Sequence, residues 1–291
     1  MARFAMVLHG GAGAKPGVDY SAEIAHMREL IERGRARLAG GAAALDVAVE
    51  TVAALEASGL YVAGRGAFPN SLGRYELDAS VMDGATRQAG GVTLLEGFKS
   101  PIEVARRVMD KTPHVLLGGM GAAAFAETEG LERIEDPKAW FTHAAMTSGG
   151  KDSDGLSHGT VGCVVLDAQG RLAAGTSTAG VFGKRPGRIG DTPLPAAGTW
   201  ADDRVAVSGT GLGEYFIRTA ACAQVSWRMA GGQSLDQACR GALDEIAALG
   251  GDGGLIAVAA DGSIAHPWNS KGMKRAWLTA EGEIGSAAFA V

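Results

Sequence analysis

The run His158-Gly159-Thr160-Val161-Gly162-Cys163-Val164-Val165-Leu166-Asp167 reads as a loop ending in a threonine that opens a buried strand. A threonine at a Gly-Thr bond gains reactivity if that bond is cut. The new terminal amine can take the proton of the residue's own hydroxyl, so one residue holds both nucleophile and base. A β-branched residue also simply favours a strand, so this position alone leaves both readings open. A second strand, Arg171 to Thr176, follows a short turn and runs into Thr176-Ser177-Thr178-Ala179-Gly180. If the two strands pair as a hairpin, Thr178 shares a sheet edge with Thr160; otherwise the run is a solvated, hydroxyl-rich turn.

Further along, Gly187-Arg188-Ile189-Gly190-Asp191 sets a guanidinium and a carboxylate among glycines. Such a pair can grip the carboxylate and ammonium of an amino-acid head group, or form an ordinary surface ion pair. Ser208-Gly209-Thr210-Gly211-Leu212-Gly213-Glu214 reads as a glycine loop between a strand and a helix, with N–H groups suited to an oxyanion. It lacks the spacing and the opening βαβ context of a dinucleotide fingerprint. The opening His9-Gly10-Gly11-Ala12-Gly13 can bring backbone close to a site. His9 and His158 each have a plain packing or solvent reading, and neither belongs to a metal motif.

The elements that must position these residues alternate between strands and paired helices. Strands fit Phe4–Leu8, Glu76–Met82, Arg87–Leu95, Val161–Asp167, Leu172–Thr176, Val205–Ser208, Leu255–Ala259 and Ile264–Ala265. Helices fit Ser21–Leu38, Ala42–Ser58, Ser100-Pro101 to about Met109, Gly118–Thr128, Glu214–Met229 and Ser234–Ala248. Strands in both halves with helices between them favour sheets covered by helical layers. The polar stretch Met146–Gly155 is the most linker-like part of the chain, and it ends just before Thr160.

With 291 residues and 46% hydrophobic composition, the chain can build a substantial core. A net charge of −5 with scattered Lys and Arg offers no basic stripe for nucleic acid. Cys163, Cys222 and Cys239 lack metal-ligand spacing and read as buried thiols in a reducing compartment. The opening Ala5-Met6-Val7-Leu8 is too short for a signal-peptide core, and no apolar run is long enough to span a membrane. A cytoplasmic location is expected.

The ordered set of His9–Gly13, Gly159–Gly162, Gly175–Thr178, Gly187–Asp191 and Gly209–Glu214 resembles the plant-type (type 2) asparaginase and isoaspartyl peptidase family of N-terminal-nucleophile hydrolases. That resemblance implies an α+β fold, a four-layer αββα sandwich. It implies cleavage between Gly159 and Thr160 into an N-terminal subunit of residues 1–159 and a C-terminal subunit of residues 160–291. These form one structural domain, and two such pairs form a dimer. Thr160 would attack the side-chain carbonyl of L-asparagine or a β-aspartyl dipeptide, with Thr178 orienting its hydroxyl. Thr210 and the Gly211 N–H would form the oxyanion hole. Arg188 would hold the α-carboxylate, Asp191 and the Gly213 carbonyl the α-ammonium, and Gly11 would organise the nucleophile and leaving-group side. No cofactor is implied for catalysis.

One position departs from the family pattern. Where Phe-Asn-Ala-Gly is common, this chain has Tyr61-Val62-Ala63-Gly64, and Val62 cannot supply an amide contact. Arg65 close by would suit a leaving residue of particular chemistry, including the Arg or Lys of cyanophycin-derived β-aspartyl dipeptides, or would point to solvent. Leu55 to Arg65 also matches the family's cation loop. A structural sodium ion is expected there on the backbone carbonyls of Leu55, Glu56, Ser58, Tyr61, Ala63 and Arg65. Competing readings are a glycosylasparaginase, in which Asp usually precedes the nucleophile, a threonine protease of the same superfamily, and a noncatalytic binding protein retaining the fold.

Overall fold

Strict alternation along each strand sorts the core into layers. In β1 (Ala5–His9), Met6 and Leu8 enter one apolar cluster while Ala5 and Val7 enter another on the opposite face. The computed structural model describes residues 3–144 and 159–290. The linker-like stretch Met146–Gly155 and His158 lie outside the described residues. The remaining strands are β2 (Leu77–Asp83), β3 (Ala89–Leu95), β4 (Leu116–Gly118), β5 (Val161–Leu166) and β6 (Leu172–Thr178). They continue with β7 (Thr199–Ala201), β8 (Val205–Gly211), β9 (Gly253–Ala259), β10 (Ile264–Ala265), β11 (Arg275–Leu278) and β12 (Ile284–Ala287).

These strands make an eight-stranded sheet, ordered β12-β11-β1-β5-β6-β2-β3-β4, and a four-stranded sheet, ordered β10-β9-β8-β7. The sheets pack face to face through Val7, Val164, Leu166 and Ala174 on one side and Ala206, Ile256 and Val258 on the other. Outside the larger sheet lie helices α1 (Ser21–Ala39), α2 (Ala44–Ser58), α3 (Pro101–Lys111) and α4 (Gly119–Thr128), followed by the short α5 (Pro137–Trp140). Outside the smaller sheet lie α6 (Gly213–Thr219), α7 (Ala221–Ala230) and α8 (Leu235–Ala248). The result is the expected four-layer αββα sandwich. Each fully buried Leu, Ile or Val of these layers contributes roughly 1.5–3 kcal/mol relative to its exposed state.

Some helix starts are satisfied by specific side chains. Ser234 and Gln237 form a capping box at the start of α8, which contributes about 1 kcal/mol. The α3 start is capped from another helix. The Glu56 carboxylate, at the end of α2, accepts from the Ile102 N–H at 3.0 Å and the Ser100 hydroxyl at 2.5 Å. Burial pushes its carboxyl up to about 8.

Two local expectations are corrected. The single helix expected over Glu214–Met229 is broken into α6 and α7, because Ala220 takes a left-handed conformation with φ 50°. The orphan N–H groups of Cys222 and Ala223 at the new start bond the carbonyl of Ala196, a tertiary partner that periodicity cannot reveal. The glycine loop expected from Ser208 onward starts later. Thr210 and Gly211 are the last residues of β8, paired with Gly254 and Gly253 of β9.

Candidate active site

Hairpin pairing of β5 with β6 sets Val161 opposite Ser177, so Thr160 and Thr178 stand together at one end of the ladder. The Thr160 hydroxyl donates to Thr178 Oγ1 at 3.2 Å. Thr178 in turn donates to the Gly159 carbonyl at 2.7 Å and accepts from the Gly180 N–H at 3.0 Å. In the continuous chain, the hydroxyl that would attack and the carbonyl that would be attacked thus share one hydroxyl partner. Thr160 is buried, 6% exposed.

Two glycines let backbone close in on this bond. Gly11 has φ +100°, and a Cβ there would stand 3.3 Å from Gly159 Cα and 3.4 Å from Thr160 N. At Gly159 a Cβ would lie 2.8 Å from the Val62 side chain, which is packed directly against the Gly159–Thr160 junction. Val62 also accepts from the Ala179 N–H through its carbonyl, at 3.0 Å. Its contribution is therefore apolar packing plus one backbone acceptor. Arg65 does not face this junction. Its Nε donates to the Trp140 carbonyl at 3.2 Å and its guanidinium lies over the Trp140 ring.

The smaller sheet reaches the nucleophile through His9. Its Nδ1 meets the Thr160 carbonyl at 3.2 Å, so Nδ1 carries the proton, and Nε2 accepts from Ser208 Oγ at 3.0 Å. Desolvation holds His9 down at about 3, so the ring is neutral and fixed in one tautomer. Ser208 continues into a buried hydroxyl chain through Thr176 and Thr199 to Ser80. Two residues beyond Ser208, Thr210 Oγ1 accepts from the Ala12 N–H at 3.2 Å. The His9–Ala12 segment thereby ties the nucleophile strand to the strand carrying Thr210 and Gly211.

Arg188 and Asp191 lie on the loop after β6. Lys184 anchors that loop by donating to the Glu76 carbonyl at 2.8 Å, and Glu76 Oε1 accepts from the Gly187 N–H at 3.0 Å. The Asp191 carboxylate packs against Gly213, where a Cβ would lie 2.7 Å from Oδ1. Among the described residues its Oδ2 has no hydrogen-bond partner, and desolvation pushes the carboxyl up to about 7 although Arg188 pulls the other way. Arg188 is engaged by Glu214, with Nε to Oε1 at 3.0 Å and Nη2 to Oε2 at 2.9 Å. Glu214 lies within the glycine-rich motif of the sequence, yet nothing in the spacing marked it as a partner for Arg188.

Of the six positions expected for a cation, Leu55, Glu56 and Ser58 lie in the last turn of α2, and Tyr61, Ala63 and Arg65 lie in the tight turns that follow it. Glycine at 64 and 66 allows this, since a Cβ would lie 2.7 Å from the Glu56 carbonyl oxygen at Gly64 and 1.9 Å from that of Tyr61 at Gly66. The Arg65 carbonyl also accepts from the Thr142 N–H at 2.9 Å. Among the described residues, no cluster of three or more His, Cys, Asp or Glu could hold a metal ion.

A threonine opening a central strand of an αββα sandwich, its hydroxyl bonded to a second threonine that also bonds the preceding carbonyl, is the arrangement of an N-terminal-nucleophile hydrolase. The family model described as Asparaginase matches residues 2–286. The isoaspartyl peptidase of Salmonella typhimurium is 43% identical over 300 residues, covering 95% of this chain and 96% of its own. The isoaspartyl peptidase of Escherichia coli is 42% identical over 300 residues, covering 95% and 93%. A plant-type L-asparaginase of Pyrobaculum calidifontis is 36% identical over 291 residues, covering 94% and 96%. The chain belongs to the plant-type asparaginase and isoaspartyl peptidase family of N-terminal-nucleophile hydrolases, and it is an enzyme.

Proposed function

We propose that this enzyme cuts its own Gly159–Thr160 bond and then hydrolyses the side-chain amide of β-aspartyl dipeptides and L-asparagine. The observation that carries this reading is the Thr160–Thr178–Gly159 hydrogen-bond relay. Attack of Thr160 Oγ on the Gly159 carbonyl exchanges the amide for an ester and frees the Thr160 amine, and water then cleaves the ester to give the Thr160 hydroxyl and a Gly159 carboxylate. In the mature enzyme that amine takes the hydroxyl proton as Oγ adds to the substrate carbonyl. It then returns the proton to the departing ammonia or amino group. Thr210 and the Gly211 N–H stabilise the oxyanion. Water cleaves the β-aspartyl ester and L-aspartate leaves.

Arg188 receives the α-carboxylate in this reading, and Asp191 with the Gly213 carbonyl receives the α-ammonium. The leaving group lies toward Val62, an apolar wall that places little constraint on its polarity. Intact mass spectrometry during incubation, coupled to L-aspartate release from L-asparagine and a β-aspartyl panel including β-aspartyl-arginine and β-aspartyl-lysine, tests the proposal. Two fragments meeting at Gly159/Thr160 with aspartate release are expected. One uncut, inactive mass would favour a binding protein that merely keeps the fold. Native mass spectrometry of the same sample reads the proposed dimer of cut pairs, for which the exposed Val115, Leu116 and Met120 around the free edge of β4 supply apolar contact surface.

Asp191 makes the reaction pH-dependent in a definite direction. With its carboxyl pushed up to about 7 in the free enzyme, acid neutralises the group that must pair with the ammonium. The kcat/KM profile is expected to fall below about pH 7, while kcat at saturation holds to lower pH, because bound ammonium favours the ionised carboxylate. A kcat/KM limb near pH 4 would show that the Asp191 carboxyl is not raised in the free enzyme, and an acid limb that stays in place in Asp191→Asn would remove Asp191 from this role.

The loop Leu55–Arg65 fits a hard monovalent cation, since it offers neutral carbonyl oxygens and its one carboxylate, on Glu56, is already used on α3. The ion would stabilise the loop and take no part in the bond chemistry. Exchanging sodium for choline at equal ionic strength is expected to lower the melting temperature by about 2–5 °C. Equal melting in both salts would count against a sodium site.

A further inference from the structure

The Arg188 guanidinium has two edges, and the structure treats them differently. Glu214 takes the Nε/Nη2 edge in a paired, side-by-side contact. The opposite end, Nη1, points back over glycine: a Cβ would lie 2.7 Å from it at Gly190 and 3.4 Å at Gly180. Gly180 is the residue whose N–H bonds Thr178 Oγ1. The Nη1 end therefore lies on the side of Gly180 and Gly190, and the Nε/Nη2 edge is the one taken by Glu214. The Arg188 side chain is only 15% exposed, whereas Glu214 is 57% exposed.

We propose that Glu214 is a positioning residue for substrate recognition, holding the Arg188 guanidinium plane so that its Nη1/Nη2 edge presents two donors to the substrate α-carboxylate. This rests on the reading of Arg188 as the carboxylate-binding group. An arginine side chain has several rotatable bonds, and freezing them before substrate arrives removes an ordering cost from binding. Glu214 is thus a fixed brace on the far edge and is not displaced by substrate. It also adds negative charge beside Asp191, which is faced by Arg188, Glu214 and Asp78 as well. The pocket consequently favours a zwitterionic head group over a bare carboxylate.

Glu214→Gln removes the charge and turns one acceptor into a donor that opposes the guanidinium. Its exposed position makes misfolding improbable as an explanation, and Glu214→Asp keeps the charge with a shorter reach. In the intact enzyme, E214Q is expected to raise KM for both L-asparagine and a β-aspartyl dipeptide by about ten-fold or more, with kcat changed less than about three-fold. E214D should fall between wild type and E214Q. Self-cleavage, which uses no head group, should proceed at the wild-type rate. The acid limb of kcat/KM should also move to lower pH in E214Q, because a negative charge near Asp191 is gone and the charge of Arg188 is unmasked. The rise in KM at nearly constant kcat, partly rescued in E214D, is what a merely structural role would not produce. Unchanged KM, or a lower KM as expected for removal of a competing carboxylate, would overturn the proposal. A wild type that neither cuts itself nor releases aspartate would fail the underlying reading instead, so the two failures are distinguishable.

Discussion

Thr160→Ala is expected to remain one chain and to lose at least about 10⁴-fold in amidase activity, because removing a nucleophile abolishes the covalent step and leaves only binding and oxyanion contacts. The substitution is mild for the fold. Thr160 is buried, but its carbonyl bond to His9 and the Thr178 bond to Gly159 do not use the Thr160 side chain. Folding should therefore persist at a cost of about 1–2 kcal/mol. The assay is intact mass over days together with aspartate release. An alanine variant that cuts at residue 159, or that turns over β-aspartyl substrate once the chain is cut by other means, would end the Thr160 mechanism.

Arg188→Ala is expected to reduce kcat/KM on every β-aspartyl substrate by about 10²–10³-fold, as for truncation of one partner of a largely desolvated ion pair. It also leaves Asp191 and Glu214 as neighbouring carboxylates without the cation between them. Self-cleavage should be spared, since the hydrogen bonds of the Arg188 side chain run to Glu214 and not to Gly159 or Thr160. Equal kcat/KM in variant and wild type on several β-aspartyl substrates would show that the carboxylate binds elsewhere. Because Arg188 and Glu214 act as one unit, the double variant R188A/E214Q should be little worse than R188A alone.

Much of this site was legible in the residues themselves. The hairpin that brings Thr160 to Thr178 follows from two short apolar runs separated by a turn, and the ladder has that register. The layers follow from apolar positions recurring on alternate faces of β1 and β5. Arg188 and Asp191 share one loop, so their proximity was written into a spacing of three residues. The break at Ala220 and the extension of β8 through Gly211 were not legible. Both depend on partners distant in the chain, the Ala196 carbonyl in one case and β9 in the other.

Sequence by itself offered the candidate hydroxyl, its hairpin neighbour and the Arg188/Asp191 pair through local pattern and short-range spacing, while their roles and the αββα sandwich came from the resemblance of the ordered motifs to a known family. Tertiary structure decided which groups serve them. His9 and Ser208 are 199 residues apart and Arg188 and Glu214 are 26 apart, yet each pair is in hydrogen-bond contact. His9 read as an ordinary packed residue until the second sheet placed Ser208 against it, and Val62 as a lost contact until Gly159 was found packed on its side chain. Residue type states what a group can do, but only the path of the chain through two stacked sheets determines what it meets.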